Sequence, residues 1–152
     1  MSNDISSKEV TLIANIIASD CVGARIRILN RAISRIYDEA VRPHNIKFSQ
    51  LNMLTVITLH EPIQQGDVGR ILSLEKSTLS RNVSLMEAKG WIQSLPGDGN
   101  NRLLSVTPKG QQLLKDAASD WLKAQEHVTA MLGEQTTIEI RQAANRIWQE
   151  SS

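Results

Sequence analysis

The sequence predicts a mainly α-helical fold with one small β-hairpin, an α+β class. Apolar residues recur every three or four positions along most of the chain, which is the period of a helix with one buried face. The exception is the stretch from Trp91 to Val106, where two short apolar segments flank a loop rich in glycine, asparagine and proline. Most of the 152 residues are therefore expected in helices, with one hairpin inserted among them.

The composition fits one globular domain over residues 1–152. Hydrophobic residues make up 41% of the chain and charged residues 22%, close to globular averages, so disorder is excluded. No apolar run approaches the roughly 20 residues that a membrane-crossing helix needs, and the N-terminus lacks the pattern of a secretion signal. We therefore expect a cytoplasmic protein. Its one cysteine, Cys21, cannot form an internal disulfide.

The charge distribution is uneven although the formal net charge is only +1. Residues 70–109 carry six lysine or arginine residues against three acidic ones, and residues 115–150 carry four against six. A basic segment followed by an acidic one is compatible with nucleic-acid contact. By itself it is equally compatible with ordinary solvated surfaces.

Two helices are predicted in the N-terminal third. Residues near 8–18 are apolar-rich but show no clear start signal, and a longer helix is expected from Cys21 to Arg42. Pro43 ends that longer helix. Its apolar stripe falls at alternating steps of three and four: Ile26, Leu29, Ile33, Ile36 and Ala40.

Three helices are predicted in the middle of the chain. Ser49 is the expected N-cap of a helix that runs to about His60, and a short helix follows near 65–72. The third runs from about Lys76 to Lys89, where Gly90 is placed to terminate it. The last two, joined by a tight break, form a helix-turn-helix.

The predicted hairpin consists of residues 91–95 and 102–106, joined by a six-residue loop from Pro96 to Asn101. Thr107 then has the properties of an N-cap, and Pro108 those of a first helical residue. A helix-turn-helix followed by a hairpin is the layout of a winged helix-turn-helix.

This winged core is expected over about residues 46–107, between long amphipathic helices over about residues 8–42 and 108–149. The second flanking segment is interrupted at Gly133. The apolar stripes of these helices exceed what a small core can cover. Because twofold dimers are the commonest oligomers, we expect these to be dimerisation helices that pack against a second copy.

The helix at 76–89 has two unlike sides at 100° per residue. The inward side is expected to hold Leu79, Val83 and Met86. The opposite side carries Ser77, Ser80, Arg81, Ser84 and Ala88. Small side chains let a helix enter the major groove of DNA, and arginine pairs with guanine through two hydrogen bonds. The alternative is a serine-rich exposed helix without a partner.

Neighbouring cations and polar groups are candidates for phosphate contact. Thr78 and Asn82 lie on one flank of that side, Lys76 lies at the start of the helix, and Arg70 lies on the preceding helix. The hairpin offers a further contact, because a narrow minor groove attracts an extended cation.

Arg102, at the exit of the loop, is the available cation, and Asp98 is expected to brace it. The alternative for the Asp98-Gly99 pair is a plain turn.

These stretches together resemble the MarR family of bacterial winged-helix transcriptional regulators, over about Cys21 to Trp148. The residues that carry the resemblance are Leu74-Glu75-Lys76-Ser77-Thr78-Leu79-Ser80-Arg81-Asn82, Leu85 to Trp91, Asp98 to Gly110, and Arg31 to Arg42. The resemblance implies a homodimer joined through the terminal helices, a recognition helix at Lys76–Lys89 and a wing at Leu95–Leu104.

The wing departs from the family pattern at one position. The family usually has an arginine two places after the aspartate, and that place is Asn100 here, whereas Arg102 lies two residues later. Either Arg102 substitutes for the usual arginine, or the wing binds through Asn100 and backbone groups.

The resemblance also implies an effector. Many family members bind small, often aromatic, anionic ligands between the dimer helices and the DNA-binding lobe. Such a pocket would be walled by the Cys21–Arg42 helix, the Gln50–His60 helix and the long helix from Pro108. The alternative is an apolar junction that is simply core.

One branch of the family senses organic hydroperoxides through a cysteine on its first helix, and Arg25 could assist Cys21 in such a role. That branch uses tyrosines from the partner subunit, and only Tyr37 is present here. An inert thiol is therefore the favoured interpretation.

No pattern indicates catalysis, a cofactor or a metal. His44, His60 and His127 lack metal-motif spacing, residues 98–100 are too short for a calcium loop, and no nucleophile elbow occurs. The leading hypothesis is a homodimeric, sequence-specific DNA-binding repressor with a pseudo-palindromic operator. The alternatives are a winged-helix protein-interaction module that binds no DNA and a peroxide-sensing regulator.

Overall fold

The structure, a computed structural model, describes residues 6–99 and 101–150, with side chains described up to residue 147. Within these ranges the elements are α1 (Ser7–Asp20), α2 (Val22–Val41), a 3-10 turn (Arg42–His44), α3 (Phe48–His60), β1 (Ile63–Gln64), α4 (Gln65–Ile71), α5 (Lys76–Ala88), β2 (Ile92–Pro96), β3 (Arg102–Val106), α6 (Pro108–Leu132) and α7 (Glu134–Glu150). The predicted mainly helical α+β class is confirmed. No helix in the described ranges has both the length and the apolar character needed to cross a membrane.

The chain divides into two compact units, Met1–Arg35 and Ile36–Ser152. In the first unit, α1 begins with a capping box that the helix prediction overlooked. The Glu9 backbone N–H donates to Ser6 Oγ at 3.4 Å, and the Ser6 backbone N–H donates to Glu9 Oε2 at 2.8 Å. The expectation of a single domain over residues 1–152 stays a prediction.

The second unit has one apolar core between α3, α5, the small sheet and α6. Its fully buried side chains come from all four: Met53, Leu54, Ile57, Val83, Met86, Leu104 and Ala117. Helix α3 lies at the centre of this core, because most of its length is apolar and therefore buried on more than one side. The core fixes α5 relative to both the sheet and α6.

The start of α3 differs from the prediction. The helix begins at Phe48, so Ser49 is its second residue and not its N-cap. The Phe48 backbone N–H donates to Asp38 Oδ1 at 2.7 Å. A carboxylate on α2, ten residues earlier, thus supplies one capping contact, and the Lys47 backbone N–H donates to Gln50 Oε1 at 3.1 Å.

The sheet has the strand order β1-β3-β2, and both pairings are antiparallel. Strand β1 was not predicted, because two residues show no period and gain their strand geometry only by pairing with Leu103 and Leu104. The register pairs Pro96 with Arg102, so the loop between them has five residues, one fewer than predicted.

The remaining boundaries follow the predicted signals. Gly90 adopts a φ of +74° after α5, and Gly133 a φ of +87° after α6. Thr107 caps α6 by accepting a hydrogen bond from the Gly110 backbone N–H at 3.1 Å. Its hydroxyl also donates to the Gly90 carbonyl at 2.6 Å, so one residue joins the end of α5 to the start of α6.

Candidate nucleic-acid interface

Helix α5 has one buried and one exposed side, as predicted. Leu79, Val83 and Met86 are at most 4% exposed and form part of the core. The side chains that the sequence assigned to the opposite side are all exposed: Ser77, Ser80, Arg81, Ser84 and Ala88. Leu85, next to Arg81 on the helix surface, is also exposed. The exposed side is therefore small and hydroxylated, with one arginine and one leucine.

A close contact between α4 and α5 sets the angle of this helix. Gly69 on α4 is buried, and a Cβ there would come within 2.8 Å of Leu79 Cδ2. The turn between the helices passes through Ser73 at a φ of +51°, and the Leu74 N–H donates to the Gly69 carbonyl at 2.8 Å. The tight break predicted between these two helices lies at Ser73-Leu74 and is the connection of a helix-turn-helix.

The residues predicted to contact phosphates differ in their exposure and in their polar contacts within the protein. Lys76 and Thr78 are exposed at the start of α5. Arg70 is exposed on α4 and forms an ion pair with Asp67 one turn earlier. Asn82 is only half exposed, and its side chain accepts from Gln50 Nε2 at 3.3 Å and donates to the Thr78 carbonyl at 3.0 Å. Asn82 therefore supports the buried Gln50, and its amide is not directed at a phosphate.

One neighbour of the exposed side was missed by the sequence reasoning. Gln65, the first residue of α4, donates from Nε2 to Ser80 Oγ at 3.3 Å. The two positions are fifteen residues apart and share no local pattern. Gln65 also lines a cleft of about 730 Å³ between α4, the start of α5 and the wing. Three of the residues that line it are cationic, Arg70, Lys76 and Arg102, and none of the described ones is acidic.

The wing differs from its prediction. Asp98 is exposed at the tip, and among the described residues no hydrogen bond joins it to Arg102. Arg102 instead places Nη2 2.8 Å from Glu87 Oε1 on α5 and 2.6 Å from Ser94 Oγ on β2. The expected brace is therefore wrong, and Glu87 and Ser94 hold the arginine. Asn100 lies outside the described residues.

An apolar cavity lies between α3 and α6. Its volume is about 290 Å³, and its lining combines apolar with two polar side chains: Leu51, Asn52, Thr55, Leu114, Ala117, Ala118 and Trp121. Trp121 also stacks on Tyr37, with ring centroids 6.4 Å apart. Burial raises the pKa of the Tyr37 phenol, and the positive charge of Arg141 partly opposes this. Two of the three predicted pocket walls thus enclose a cavity.

Cys21 lies between α1 and α2 in the first unit. The thiol is partly buried, and Sγ accepts from the Ala24 backbone N–H at 3.4 Å, so it takes the place of a capping oxygen at the start of α2. Arg25 does not assist the thiol, since its guanidinium donates to the Ala18 carbonyl at 2.6 Å. Cys21 therefore contributes a capping contact at the start of α2.

No group of three or more histidine, cysteine, aspartate or glutamate side chains is placed to hold a metal ion in the described ranges. His44 lies 2.9 Å from Asp120 on α6. Hydrogen bonds from His44 and Lys123 hold the pKa of the Asp120 carboxyl below its usual range. This pair connects the 3-10 turn to α6.

Comparison with known proteins gives a matching family model and several curated relatives. A model described as "MarR family" matches residues 44–99, from the end of the 3-10 turn to the wing. The uncharacterized HTH-type transcriptional regulator YxaD of Bacillus subtilis is 34% identical over 100 residues, which are 64% of this chain and 68% of YxaD. Among the curated relatives, the matched segments span 63% to 74% of each protein's length.

Solved structures share the fold. The M. tuberculosis transcriptional regulator MOSR, in complex with DNA, superposes with a TM-score of 0.73 at 25% identity, over 84% of this chain and 96% of that one. A cysteine-to-serine mutant of MarR from E. coli, complexed with operator DNA, gives a TM-score of 0.77 at 19% identity, over 87% and 96%. This chain therefore shares its fold with both structures.

Proposed function

The chain belongs to the MarR family of transcriptional regulators, and from that premise we propose that it is a homodimeric repressor that binds a pseudo-palindromic operator. The observation that carries this proposal is the exposed side of α5. An ordinary solvated helix side is rich in glutamate and lysine, whereas this one carries three serines and Arg81 opposite a fully buried side. Such a surface fits the major groove, about 12 Å wide.

Arg81 is the proposed base reader, since its planar group can pair with guanine O6 and N7 together. Ser77, Ser80 and Ser84 surround it and suit base edges or nearby phosphates. Gln65 holds the Ser80 hydroxyl from α4, which supports a fixed orientation for that group. Two such helices related by a twofold axis would read half-sites about one helical turn apart.

Phosphates are the proposed partners of Lys76, Thr78 and Arg70, which lie at the edge of the reading side. Their contribution is independent of sequence, because it comes from charge and from hydrogen bonds to the DNA backbone. The wing, with Asp98 and Asn100 near its tip, is the proposed neighbour of the minor groove.

Exposed apolar side chains support the homodimer. In the second unit α6 and α7 expose Leu122, Met131, Ile138 and Ile140. In the first unit α1 exposes Val10, Ile13, Ile16 and Ile17. Clusters of this kind are unusual on a monomer surface and are best covered by a self-complementary copy.

DNA selection tests the proposal. The full chain would be used to select duplexes from random-sequence DNA, followed by mobility shifts of the best duplex at two salt concentrations. We expect a pseudo-palindromic consensus and an affinity that falls steeply with salt. A chain that selects no duplex would be a winged-helix protein-interaction module, and the proposal would be wrong.

Lys76→Ala is expected to weaken binding to specific and random duplexes alike, because a phosphate contact carries no sequence information. The slope of log affinity against log salt should fall by about 1. Lys115→Ala, which removes an exposed lysine from α6, is the matched control and should leave the slope unchanged. A loss confined to the specific duplex would show that Lys76 reads a base.

An effector is proposed for the cavity between α3 and α6. A volume of about 290 Å³ suits a small ligand, and Asn52 and Thr55 provide polar groups in an apolar lining. CouR from Rhodococcus jostii, which shares the fold at 18% identity, was crystallised with p-coumaroyl-CoA. For this chain we propose a small aromatic or anionic compound that lowers DNA affinity when bound.

Oxidation of Cys21 is not expected to control DNA binding, because the peroxide-sensing branch of the family uses tyrosines beside its cysteine and Tyr37 is the one tyrosine of this chain. Cys21→Ser and the parent should both remain on the selected duplex after treatment with an organic hydroperoxide, as a mobility shift would show. Release of the parent but not of the serine variant would instead identify a peroxide sensor.

A further inference from the structure

The wing is attached to the recognition helix by three polar side chains from three elements. Arg102, the first residue of β3, places Nη2 2.8 and 2.9 Å from the two carboxylate oxygens of Glu87 on α5. The same nitrogen lies 2.6 Å from Oγ of Ser94 on β2, and the Ser94 hydroxyl donates to Glu87 Oε1. We name this cluster, Glu87 with Ser94 and Arg102, the wing clamp.

The ion pair with Arg102 matters for DNA binding because Glu87 carries a negative charge. The carboxylate lies on the helix proposed to enter DNA, where an unpaired negative charge would repel phosphates. Its side chain is 25% exposed and that of Arg102 is 50% exposed, so the pair is partly shielded from water. Hydrogen bonds to a charged group are stronger than neutral ones. The arginine therefore neutralises Glu87 while it joins β3 to α5.

The hairpin has little else near its tip to fix its direction. The described backbone contacts of the loop are local: the Gly97 N–H donates to the Asn101 carbonyl at 3.1 Å, and the Asn101 N–H donates to the Asp98 carbonyl at 3.3 Å. Strand β1 pairs with only two residues of β3, Leu103 and Leu104, so at the Pro96–Arg102 pair the hairpin has two strands and no third one. A two-stranded ribbon alone is marginally stable in water. An extra connection to α5 therefore limits its movement.

We propose that Arg102, Glu87 and Ser94 are positioning residues for DNA binding, which hold the wing where it and α5 reach one duplex together. The inference rests on the proposed DNA-binding function. A wing aligned before binding loses less conformational freedom when the complex forms. Arg102 thus acts through the protein, in place of the minor-groove contact that the sequence suggested.

Binding of the variants Arg102→Ala and Glu87→Ala to the selected duplex tests the clamp. Each should lower the affinity, by about 3- to 10-fold, because each breaks the same connection. The variant that combines both substitutions should have the same affinity for the duplex as the single variant with the lower affinity. In the double variant, which removes both charges, the salt slope should stay unchanged, whereas loss of a phosphate contact would lower it by about 1. Glu39→Ala and Lys115→Ala control for the change in net charge.

If Arg102 contacts DNA directly, we expect the opposite results from these variants. Arg102→Ala would then lower the salt slope, and Glu87→Ala would bind as tightly as the parent or more tightly, because it frees the arginine and removes a negative charge. The exchange variant, Glu87→Arg with Arg102→Glu, gives a further test that distinguishes a clamp from a direct DNA contact. It should recover part of the lost affinity if the pair is a clamp, and none if position 102 faces DNA.

Hydrogen exchange in the free protein tests the clamp without DNA. The amides of Gly97 and Asn101 should exchange faster in Arg102→Ala and Glu87→Ala than in the parent and the two controls. Equal exchange in all five proteins would overturn the clamp. If the parent selects no duplex, the proposed function fails, while the exchange rates still decide whether the clamp fixes the wing.

Discussion

Arg81→Ala is expected to weaken operator binding by about 1–3 kcal/mol per half-site and to relax the preference at one base pair. The residue lies at the centre of the exposed side of α5, between Ser77 and Ser84 along the helix, so it would face the floor of the major groove. Neutral serines cannot replace its two parallel hydrogen bonds. Mobility shifts with the selected duplex and its single-base variants would measure both effects.

Arg81→Lys is the informative companion variant. Lysine keeps the charge but lacks the planar fork, so attraction to DNA should persist while discrimination at that base pair declines. Arg81→Ala with unchanged affinity and unchanged base preference would assign sequence reading to the exposed neighbours of Arg81, which are Ser77, Ser80, Ser84 and Leu85.

Gly110→Ala is expected to lower the free energy of unfolding by about 1–3 kcal/mol, through a forced overlap in a packed region. A Cβ at position 110 would come within 2.1 Å of the Trp91 carbonyl oxygen and 2.8 Å of Val106 Cγ2. Because the first of these is a backbone atom, α6 must shift away from the base of the hairpin. Thr107, which caps the helix through the Gly110 N–H, would shift with it.

Urea unfolding at a fixed protein concentration would measure this loss, as a lower midpoint with an unchanged slope. Gly66→Ala is the matched control. Gly66 lies in α4 with nothing within 4 Å of the added methyl, so the change should be neutral or stabilising by about 0.5–1 kcal/mol through helix propensity. Equal stability of the two variants would show that the contact at Gly110 relaxes without cost.

Local patterns predicted most of the fold because most of its elements are defined locally. The period of apolar residues identifies the helices, and Gly90, Thr107 and Gly133 mark their ends by backbone conformation and capping. The start of α3 and strand β1 were missed for the same physical reason. Each gains a contact from another element, Asp38 on α2 for α3 and β3 for β1, and the local pattern indicates neither partner.

The same distinction between local and long-range features applies to the candidate site. Burial of Leu79, Val83 and Met86 follows from helical geometry, so the exposed side of α5 was predictable. The hydrogen bonds of Asn82 to Gln50, of Gln65 to Ser80 and of Arg102 to Glu87 join residues 15 to 32 positions apart. Sequence can show that such polar residues are present, but only the packed core decides which of them meet.

Thr107 has a consequence for how a signal can reach DNA. Its hydroxyl donates to the Gly90 and Trp91 carbonyls, just after the end of α5, while its oxygen caps α6, so a movement of α6 is coupled to the segment that follows α5. A ligand that tilts α6 would therefore move α5 and the wing together with it, as one rigid unit. Release from the operator would then come from a changed distance between the two recognition helices of the proposed dimer, while the internal structure of each copy's winged core stays the same.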